Sequence, residues 1–175
     1  MTHENARDLW RVLQQPELRE FQDIPRTTVE EFERQVRARP RCLVPGTGGR
    51  FEWLLRRREL GDDIGWISLR VHDRGRTHAE LGYSLLVEAR GQGFATEALR
   101  ALRGEAFDQT DLAEIHACTI PENFPSRAVL TRLGFCQVRV LRGGALVRSR
   151  RVDVILHIYT RGQHLAQARE ERLAG

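Results

Sequence analysis

A glycine-bearing segment from Arg90 to Ala98 carries the strongest chemical signal in the sequence. It lies between an apolar run, residues 81–87, and an amphipathic run, residues 94–107, so we expect a strand, a short turn and then a helix. The first N–H groups of a helix have no intrahelical partner, and the helix dipole favours negative charge there. Because glycine lets a phosphate approach the backbone closely, the segment predicts a diphosphate site, with plain turn chemistry as the alternative.

Two common phosphate-binding motifs are excluded in this segment. The chain contains no lysine, so it has no loop of the G-x-x-x-x-G-K-[ST] type. Gly91 and Gly93 are followed by Thr96, where the dinucleotide motif G-x-G-x-x-G requires a third glycine. The pattern that remains is R-x-x-G-x-A, formed by Arg90, Gly93 and Ala95.

A second group of polar residues follows the next predicted strand. Asn123, Pro125, Ser126 and Arg127 come after an apolar run at residues 113–120. Taken alone, asparagine and proline are turn residues, and the serine is expected to cap a short helix. However, the strand before them should neighbour the strand before the glycine segment. Since ligands bind at the carboxyl ends of parallel strands, both groups are expected to meet at one site.

The periodicity of the apolar residues predicts the elements that position these groups. Helical spacing indicates helices over residues 4–15, from Thr27 or Thr28 to about 39, 94–107, 126–133 and 163–173. Alternation with period two, with turns at residues 61–63 and 73–75, indicates strands over residues 51–55, 64–71, 79–87, 113–120, 135–141 and 152–159. Short turns make the first three strands antiparallel, and a helical crossover makes the next pair parallel. The order predicts a mixed α/β fold with an antiparallel first half.

The composition bounds the class of protein. A chain of 175 residues, 41% hydrophobic and 30% charged, is most simply one globular domain. The start shows no secretory signal and no run is long enough to span a membrane, so we expect a cytoplasmic protein without a membrane partner. All 28 basic residues are arginine and they are dispersed, which favours a solvated surface over nucleic-acid binding.

Cys42, Cys118 and Cys136 lack the spacing of a metal site or disulfide framework, so buried free thiols are expected.

The two groups and the segments around them resemble the GNAT superfamily of acetyl-CoA-dependent N-acetyltransferases. The resemblance rests on Glu80-Leu81-Gly82-Tyr83, on residues 90–99, on Asn123-x-x-Ser126 and on Leu133-Gly134-Phe135. Within the superfamily, the pattern resembles the branch of RimJ/RimL-type protein N-terminal acetyltransferases. It is strongest over residues 80–136 and implies a single N-acetyltransferase domain over residues 1–175. The implied fold is a mixed sheet in which two parallel strands splay apart and hold acetyl-CoA between them.

The resemblance also implies which residues bind acetyl-CoA. The diphosphate is expected on the backbone of the glycine segment, and the pantetheine along the end of the preceding strand. Asn123 and Ser126 are expected near the thiol end. Arg127 is expected to reach a phosphate, with a solvent-facing helix arginine as the alternative. The backbone positions concerned are Leu85, Leu86 and Val87 for the pantetheine, and Arg90, Gly91, Gln92, Gly93, Phe94, Ala95 and Thr96 for the diphosphate.

For catalysis, the resemblance implies direct attack of a primary amine on the thioester. Glu80 is the candidate base, with His78 on the same strand face as a substitute, and an exposed strand glutamate is the alternative interpretation. Ser126 is the candidate acid, with helix capping as the alternative. Many members use a tyrosine acid in this helix, but positions 130 and 133 are both leucine. A backbone N–H near Leu86 is expected to stabilise the oxyanion.

The start of the chain and the acceptor amine stay open at this point. The family usually opens with a strand, whereas here a helical pattern begins almost at once, so the first strand is absent or the start is truncated. The acceptor is a protein N-terminal α-amine, or a small-molecule amine such as a polyamine or an antibiotic-like compound. A catalytically silent acetyl-CoA-binding module is a further alternative, and both a monomer and a homodimer fit. Substrate choice is expected in the first two helices and in loops 40–50 and 142–150, whose arginines favour acidic peptides over polycations.

Overall fold

The computed structural model describes residues 5–24, 26–72 and 77–174, so the turn predicted at residues 73–75 lies outside it. The helices are α1 (Ala6–Leu13), α2 (Val29–Arg37), α3 (Phe94–Gln109), α4 (Phe124–Arg132) and α5 (Arg161–Ala174). The strands are β1 (Gly49–Arg56), β2 (Asp63–Val71), β3 (His78–Leu85), β4 (Glu114–Thr119), β5 (Cys136–Val147) and β6 (Arg150–Thr160). Two 3₁₀ segments span Pro16–Arg19 and Val87–Ala89. Within these ranges, no helix has the length and apolar character needed to cross a membrane.

The six strands form one mixed sheet in the order β1-β2-β3-β4-β6-β5. The β3–β4 pair is parallel, and the β1–β2 and β2–β3 pairs are antiparallel, as the sequence predicts. The β4–β6 and β6–β5 pairs are also antiparallel. The parallel register runs only from His78 opposite Glu114 to Leu81 opposite Ala117. Since β3 continues to Leu85 and β4 to Thr119, their carboxyl ends diverge. This divergence opens a gap between the ends of β3 and β4.

Helices cover both faces of the sheet and build two apolar cores. Trp66 and Leu69 lie an odd number of positions apart on β2, so their side chains point to opposite faces. Trp66 packs with Leu9 of α1 and with α2, whereas Leu69 packs with Leu99 of α3 and Leu130 of α4. The Thr28 side chain caps α2 by accepting from the N–H of residue 31 at 3.2 Å, one of the two predicted caps.

The β5–β6 hairpin is longer than predicted. The sequence indicates strands at residues 135–141 and 152–159 with a loop at 142–150, but the strands run on to a two-residue turn. Arg148 and Ser149 both have positive φ, 49° and 62°, which gives the turn a twist that suits a tight hairpin. The Gly143-Gly144 pair that suggests a loop is absorbed by an irregularity between Leu141 and Ala145. The predicted substrate loop at 142–150 is therefore wrong.

The three cysteines are free, as predicted, but they are exposed rather than buried. Cys42 lies in the segment before β1, and Cys136 begins the edge strand β5. Cys118 lies on β4, where the sheet opens, so its side chain faces an open cleft instead of a core. The general preference of cysteine for protein interiors therefore does not predict the exposure of these three thiols.

Replacing Gly104 with alanine is expected to raise the free energy of unfolding by about 0.5–1 kcal/mol, because Gly104 lies inside α3 and glycine weakens a helix. A Cβ at this position meets nothing within 4 Å. Urea unfolding measures the change. Gly65→Ala is the contrasting variant and should destabilise the protein, since a Cβ there lies 2.3 Å from the Ser84 carbonyl oxygen. A loss of stability in Gly104→Ala would contradict the helix geometry described.

Candidate active site

The N-terminus of α3 presents a row of backbone donors. Gly91 and Gly93 adopt the left-handed conformation, with φ of 74° and 87°, and so turn the chain into the helix. The first bond of the helix is from Glu97 N–H to the Gly93 carbonyl at 3.0 Å. Within the described ranges, no acceptor meets the N–H groups from Gly91 to Thr96, and the buried Thr96 hydroxyl also has no partner. Adjacent donors at the positive end of a 16-residue helix suit the diphosphate of acetyl-CoA.

The side chains of this cradle, defined as residues 91–96, point elsewhere. Gln92 donates its side-chain amide to the Glu88 carbonyl at 2.6 Å. Phe94 and Ala95 pack against the small apolar cluster around Ile64. The cradle therefore offers backbone donors to a ligand, and its side chains hold the turn in place.

Arg90 lies at the upstream end of the cradle and its backbone is not part of it. Its N–H donates to the Val87 carbonyl at 3.1 Å, so the predicted diphosphate segment begins one residue later, at Gly91. The Arg90 Nε donates to the Leu85 carbonyl at 3.1 Å, and one terminal nitrogen reaches the Glu17 carbonyl at 3.4 Å. The side chain thus links the end of β3 to the first 3₁₀ segment.

A narrow cleft of about 120 Å³ opens where β3 and β4 part. One wall is residues 81–84 of β3, and the other is residues 117–120 of β4. Asn123 and Ser126 close the cleft on the side of α4, and Arg90 lines it next to the cradle. The cleft therefore extends from Arg90, the residue before the cradle, to the start of α4, and this direction suits a pantetheine arm.

The hydrogen bonds of β3 show which backbone groups face this cleft. Leu86 N–H donates to the Ile64 carbonyl of β2 at 2.9 Å, and His72 N–H donates to the His78 carbonyl at 3.4 Å. Backbone groups alternate sides along a strand in a sheet. Even-numbered positions of β3 therefore bond to β2, and odd-numbered positions direct their N–H and C=O groups toward β4.

This alternation narrows two predictions. The Leu86 N–H is already bonded to β2, so among the positions near Leu86 only the odd-numbered ones direct an N–H toward the cleft. Of the positions predicted for the pantetheine, Leu85, Leu86 and Val87, only Leu85 lies on the strand edge that faces the cleft, because β3 ends there and Val87 lies in a 3₁₀ turn. The backbone groups that face the cleft belong to Tyr83 and Leu85.

Ser126 meets a hydroxyl that the sequence pattern does not reveal. The Tyr83 Oη lies 2.8 Å from the Ser126 Oγ, and also donates to the Ser126 carbonyl at 3.3 Å. The predicted capping role of Ser126 is wrong, because the Asn123 Oδ1 accepts from Ser126 N–H at 3.2 Å and α4 begins at Phe124. Burial raises the pKa of Tyr83, and the hydrogen bond to Ser126 opposes this less strongly, so the phenol keeps its proton at neutral pH.

Arg127 does not line the cleft. Its terminal nitrogen donates to the Pro121 carbonyl at 3.0 Å, and its guanidinium lies 5.5 Å from the centre of the Phe124 ring. These contacts hold the turn before α4. The expectation that Arg127 reaches a phosphate gains no geometric support.

Glu80 and His78 lie on the sheet face that carries α1 and α2. The Glu80 side chain is 57% exposed, and its carboxylate lies 3.1 Å from the His72 Nε2. His78 stacks between His72 and His116, with ring centres 4.8 Å and 5.0 Å away. His72 therefore contacts both His78 and Glu80. Ser126, in contrast, lies at the opposite face of the sheet, where α4 begins.

A second hollow, the acceptor cavity, lies against this face and has a volume of about 390 Å³. Glu80, Leu81 and Gly82 of β3 line it, together with residues of α2, β1 and β2 and of the segment before α2. The cavity and the cleft share Gln22, Leu81 and Gly82. They therefore meet at the point where β3 leaves β4.

Arginines crowd one wall of the acceptor cavity. The buried Glu52 carboxylate contacts both Arg39 and Arg50, the latter through Nε at 2.8 Å. Burial lowers the pKa of Arg39 to about 10, and repulsion from Arg50 adds to this. Burial also lowers the pKa of Arg50, with repulsion from Arg70 as the next cause. One carboxylate therefore serves two guanidinium groups, and a third approaches them.

Comparison with known proteins identifies the family. Residues 1–136 match the acetyltransferase (GNAT) domain family. The N-acetyltransferase p20 of Bacillus licheniformis, whose function is uncharacterized, is 29% identical over 157 residues, 89% of this chain and 87% of that protein.

Two solved structures share the fold. Mycobacterium smegmatis RimJ in complex with CoA-disulfide has a TM-score of 0.76 and 22% identity over 93% of this chain and 80% of that one. The Vibrio cholerae spermidine N-acetyltransferase, in complex with CoA and spermine, has a TM-score of 0.78 and 15% identity over 94% of this chain and 95% of that one. The family match, together with a donor cradle beside a splayed cleft, leads to the conclusion that the chain belongs to the GNAT acetyltransferases and is an N-acetyltransferase with acetyl-CoA as cosubstrate.

Proposed function

We propose that this enzyme acetylates the α-amine of a protein N-terminus, as RimJ/RimL-type acetyltransferases do. The observation that carries the proposal is the junction of two hollows at Leu81 and Gly82. An acyl donor in the cleft and an amine in the acceptor cavity come together there. Holding both reactants in one place supplies a large part of the rate in such transfers.

The cleft and the cradle fit acetyl-CoA. The backbone N–H groups from Gly91 to Thr96 would hold the diphosphate, and the cleft-facing backbone of Tyr83 and Leu85 would align the pantetheine. Asn123 would border its thiol end. Bound acetyl-CoA supplies an acetyl group activated as a thioester. Since both hollows use residues from the N-terminal and central parts of the chain, we also propose one domain over residues 1–175.

The residues at the junction account for the protons of the transfer. A C–N bond forms between the amine and the acetyl carbonyl carbon, and the C–S bond breaks. The amine proton passes to Glu80, directly or through water, and the 57% exposed carboxylate releases it to solvent. The sulfur takes a proton from Ser126, Ser126 takes one from Tyr83 across their 2.8 Å contact, and Tyr83 regains its proton from water. The N–H of Tyr83 or Leu85 stabilises the oxyanion in place of the Leu86 group.

An α-amine suits this site better than a polyamine. Its ordinary pKa, about 7.7–8.0, lets the half-exposed Glu80 act as a weak base, whereas a lysine-type amine near 10.4 needs a stronger one. A polycation also meets Arg39, Arg50 and Arg70 in the cavity wall. Although similar folds include spermidine N-acetyltransferases, the arginines in the wall of this cavity favour a less basic acceptor.

Thiol release from acetyl-CoA tests the proposal with three acceptors at equal concentration. We expect turnover with a short peptide that has a free α-amine. We expect at most about a tenth of that rate with spermidine, and with the same peptide blocked at its α-amine but carrying one lysine. Faster turnover of spermidine than of the free peptide would overturn the assignment and favour the polyamine alternative.

A further inference from the structure

Arg70 stands out among the charged groups of the acceptor cavity. It is exposed on β2 and lines the cavity, yet no carboxylate lies within 4.0 Å of its guanidinium in the described parts of the chain. Glu80 is its neighbour in the β2–β3 register, but the Glu80 carboxylate turns to His72. Arg70 therefore offers its hydrogen-bond donors to the cavity.

The other charges of the cavity are already committed. The Glu52 carboxylate is shared by Arg39 and Arg50, and Arg50 also lies over the Trp66 ring at 5.9 Å. Asp23 accepts from the Arg148 backbone N–H at 3.0 Å. The part of the wall around Arg50 and Arg70 is thus net positive.

The spacing of the strands relates this positive wall to the reaction point. Arg70 lies two residues beyond Ser68, which is opposite Gly82 in the register. Strands lie about 4.8 Å apart and rise about 3.4 Å per residue, so the Arg70 and Gly82 backbones are about 8 Å apart. An extended peptide advances about 3.5 Å per residue. An N-terminal amine beside Gly82 therefore brings the second residue of the peptide within reach of the Arg70 side chain.

We propose that the enzyme recognises an acidic residue at the second position of the acceptor N-terminus, through an ion pair with Arg70 that Arg50 supports. The inference rests on the proposed function and specifies its substrate class. A guanidinium binds a carboxylate with two parallel hydrogen bonds, which gives geometric selection as well as attraction. The neutral asparagine isostere lacks this charge and one acceptor oxygen.

The test compares kcat/KM for two peptides that differ only in aspartate or asparagine at the second position. In the unmodified enzyme, we expect the aspartate peptide to be preferred about 10-fold, the effect of one charge-assisted hydrogen-bonded pair. Arg70→Gln should reduce the ratio to about one. Arg70→Glu should favour a lysine peptide instead. Arg132→Gln, an exposed arginine at the end of α4, is the control and should keep the original ratio.

The outcomes separate this inference from the proposed function. Equal turnover of both peptides by the unmodified enzyme overturns the role of Arg70 and leaves N-terminal acetylation intact. If neither peptide reacts but free aspartate does, and Arg70→Gln abolishes that reaction, carboxylate recognition holds and the protein N-terminal assignment fails. Turnover of spermidine alone overturns both.

Discussion

Tyr83→Phe is expected to lower kcat about 100-fold, while KM for acetyl-CoA stays within a factor of about three. Only the hydroxyl group is removed, and the ring still packs beside Leu81 and α4. Without it, Ser126 loses the partner 2.8 Å away that replaces its proton after transfer to the sulfur. Steady-state thiol release with saturating acetyl-CoA measures the effect.

Two variants control this prediction. Tyr159→Phe removes the hydroxyl of another buried tyrosine, which donates to Gln167 at 3.1 Å and does not line the cleft. This variant should leave kcat unchanged. Ser126→Ala keeps the N–H that Asn123 caps, so it should lower kcat without loosening α4. Because the two hydroxyls act as one unit, the double variant should be about as slow as either single variant. Fully additive losses would show that they act separately.

Gly93→Ala is expected to raise KM for acetyl-CoA about 30-fold with little change in kcat. Gly93 has φ of 87°, a conformation that costs an L-residue about 1–2 kcal/mol. Relief of that strain rotates the N–H groups of the cradle away from the diphosphate, and each charge-assisted hydrogen bond contributes about 1.5–3 kcal/mol. The dissociation constant of CoA, measured by calorimetry, should rise by a similar factor.

Gly61→Ala is the matched control for the cradle. Gly61 also has a left-handed φ, 70°, and a Cβ there meets nothing within 4 Å, as at Gly93. It lies in the turn between β1 and β2, away from the cleft. Both variants should lose similar stability, but only Gly93→Ala should lose affinity for CoA. Equal CoA affinity in the two variants would remove the cradle from the binding site.

The sequence predicts the elements well where a local pattern determines them. Apolar spacing locates α3, and the alternation of Phe51, Trp53 and Leu55 locates β1, because one face of each must pack against a core. The parallel β3–β4 pair follows from the helical crossover between them. The donor cradle follows from glycines before a helix, a feature contained within a few residues.

The errors arise where contacts between residues far apart in the sequence determine the structure of the site. Tyr83 and Ser126 are 43 positions apart, and neither residue carries a local sign of the other. The oxyanion donor depends on which side of β3 bonds to β2, and this register is not visible from β3 alone. Likewise, Arg39 lies in the turn after α2, Arg50 on β1 and Arg70 on β2, and only the folded sheet brings them together in one cavity wall.

The most direct measurement places two amines in competition on one molecule. A peptide with a free α-amine, an aspartate at its second position and an internal lysine is incubated with the enzyme and acetyl-CoA. Fragmentation mass spectrometry then locates the acetyl group. We expect one acetyl group on the α-nitrogen and an unmodified lysine. Acetylation of the lysine ε-nitrogen, or of added spermidine while the peptide remains unmodified, would contradict it.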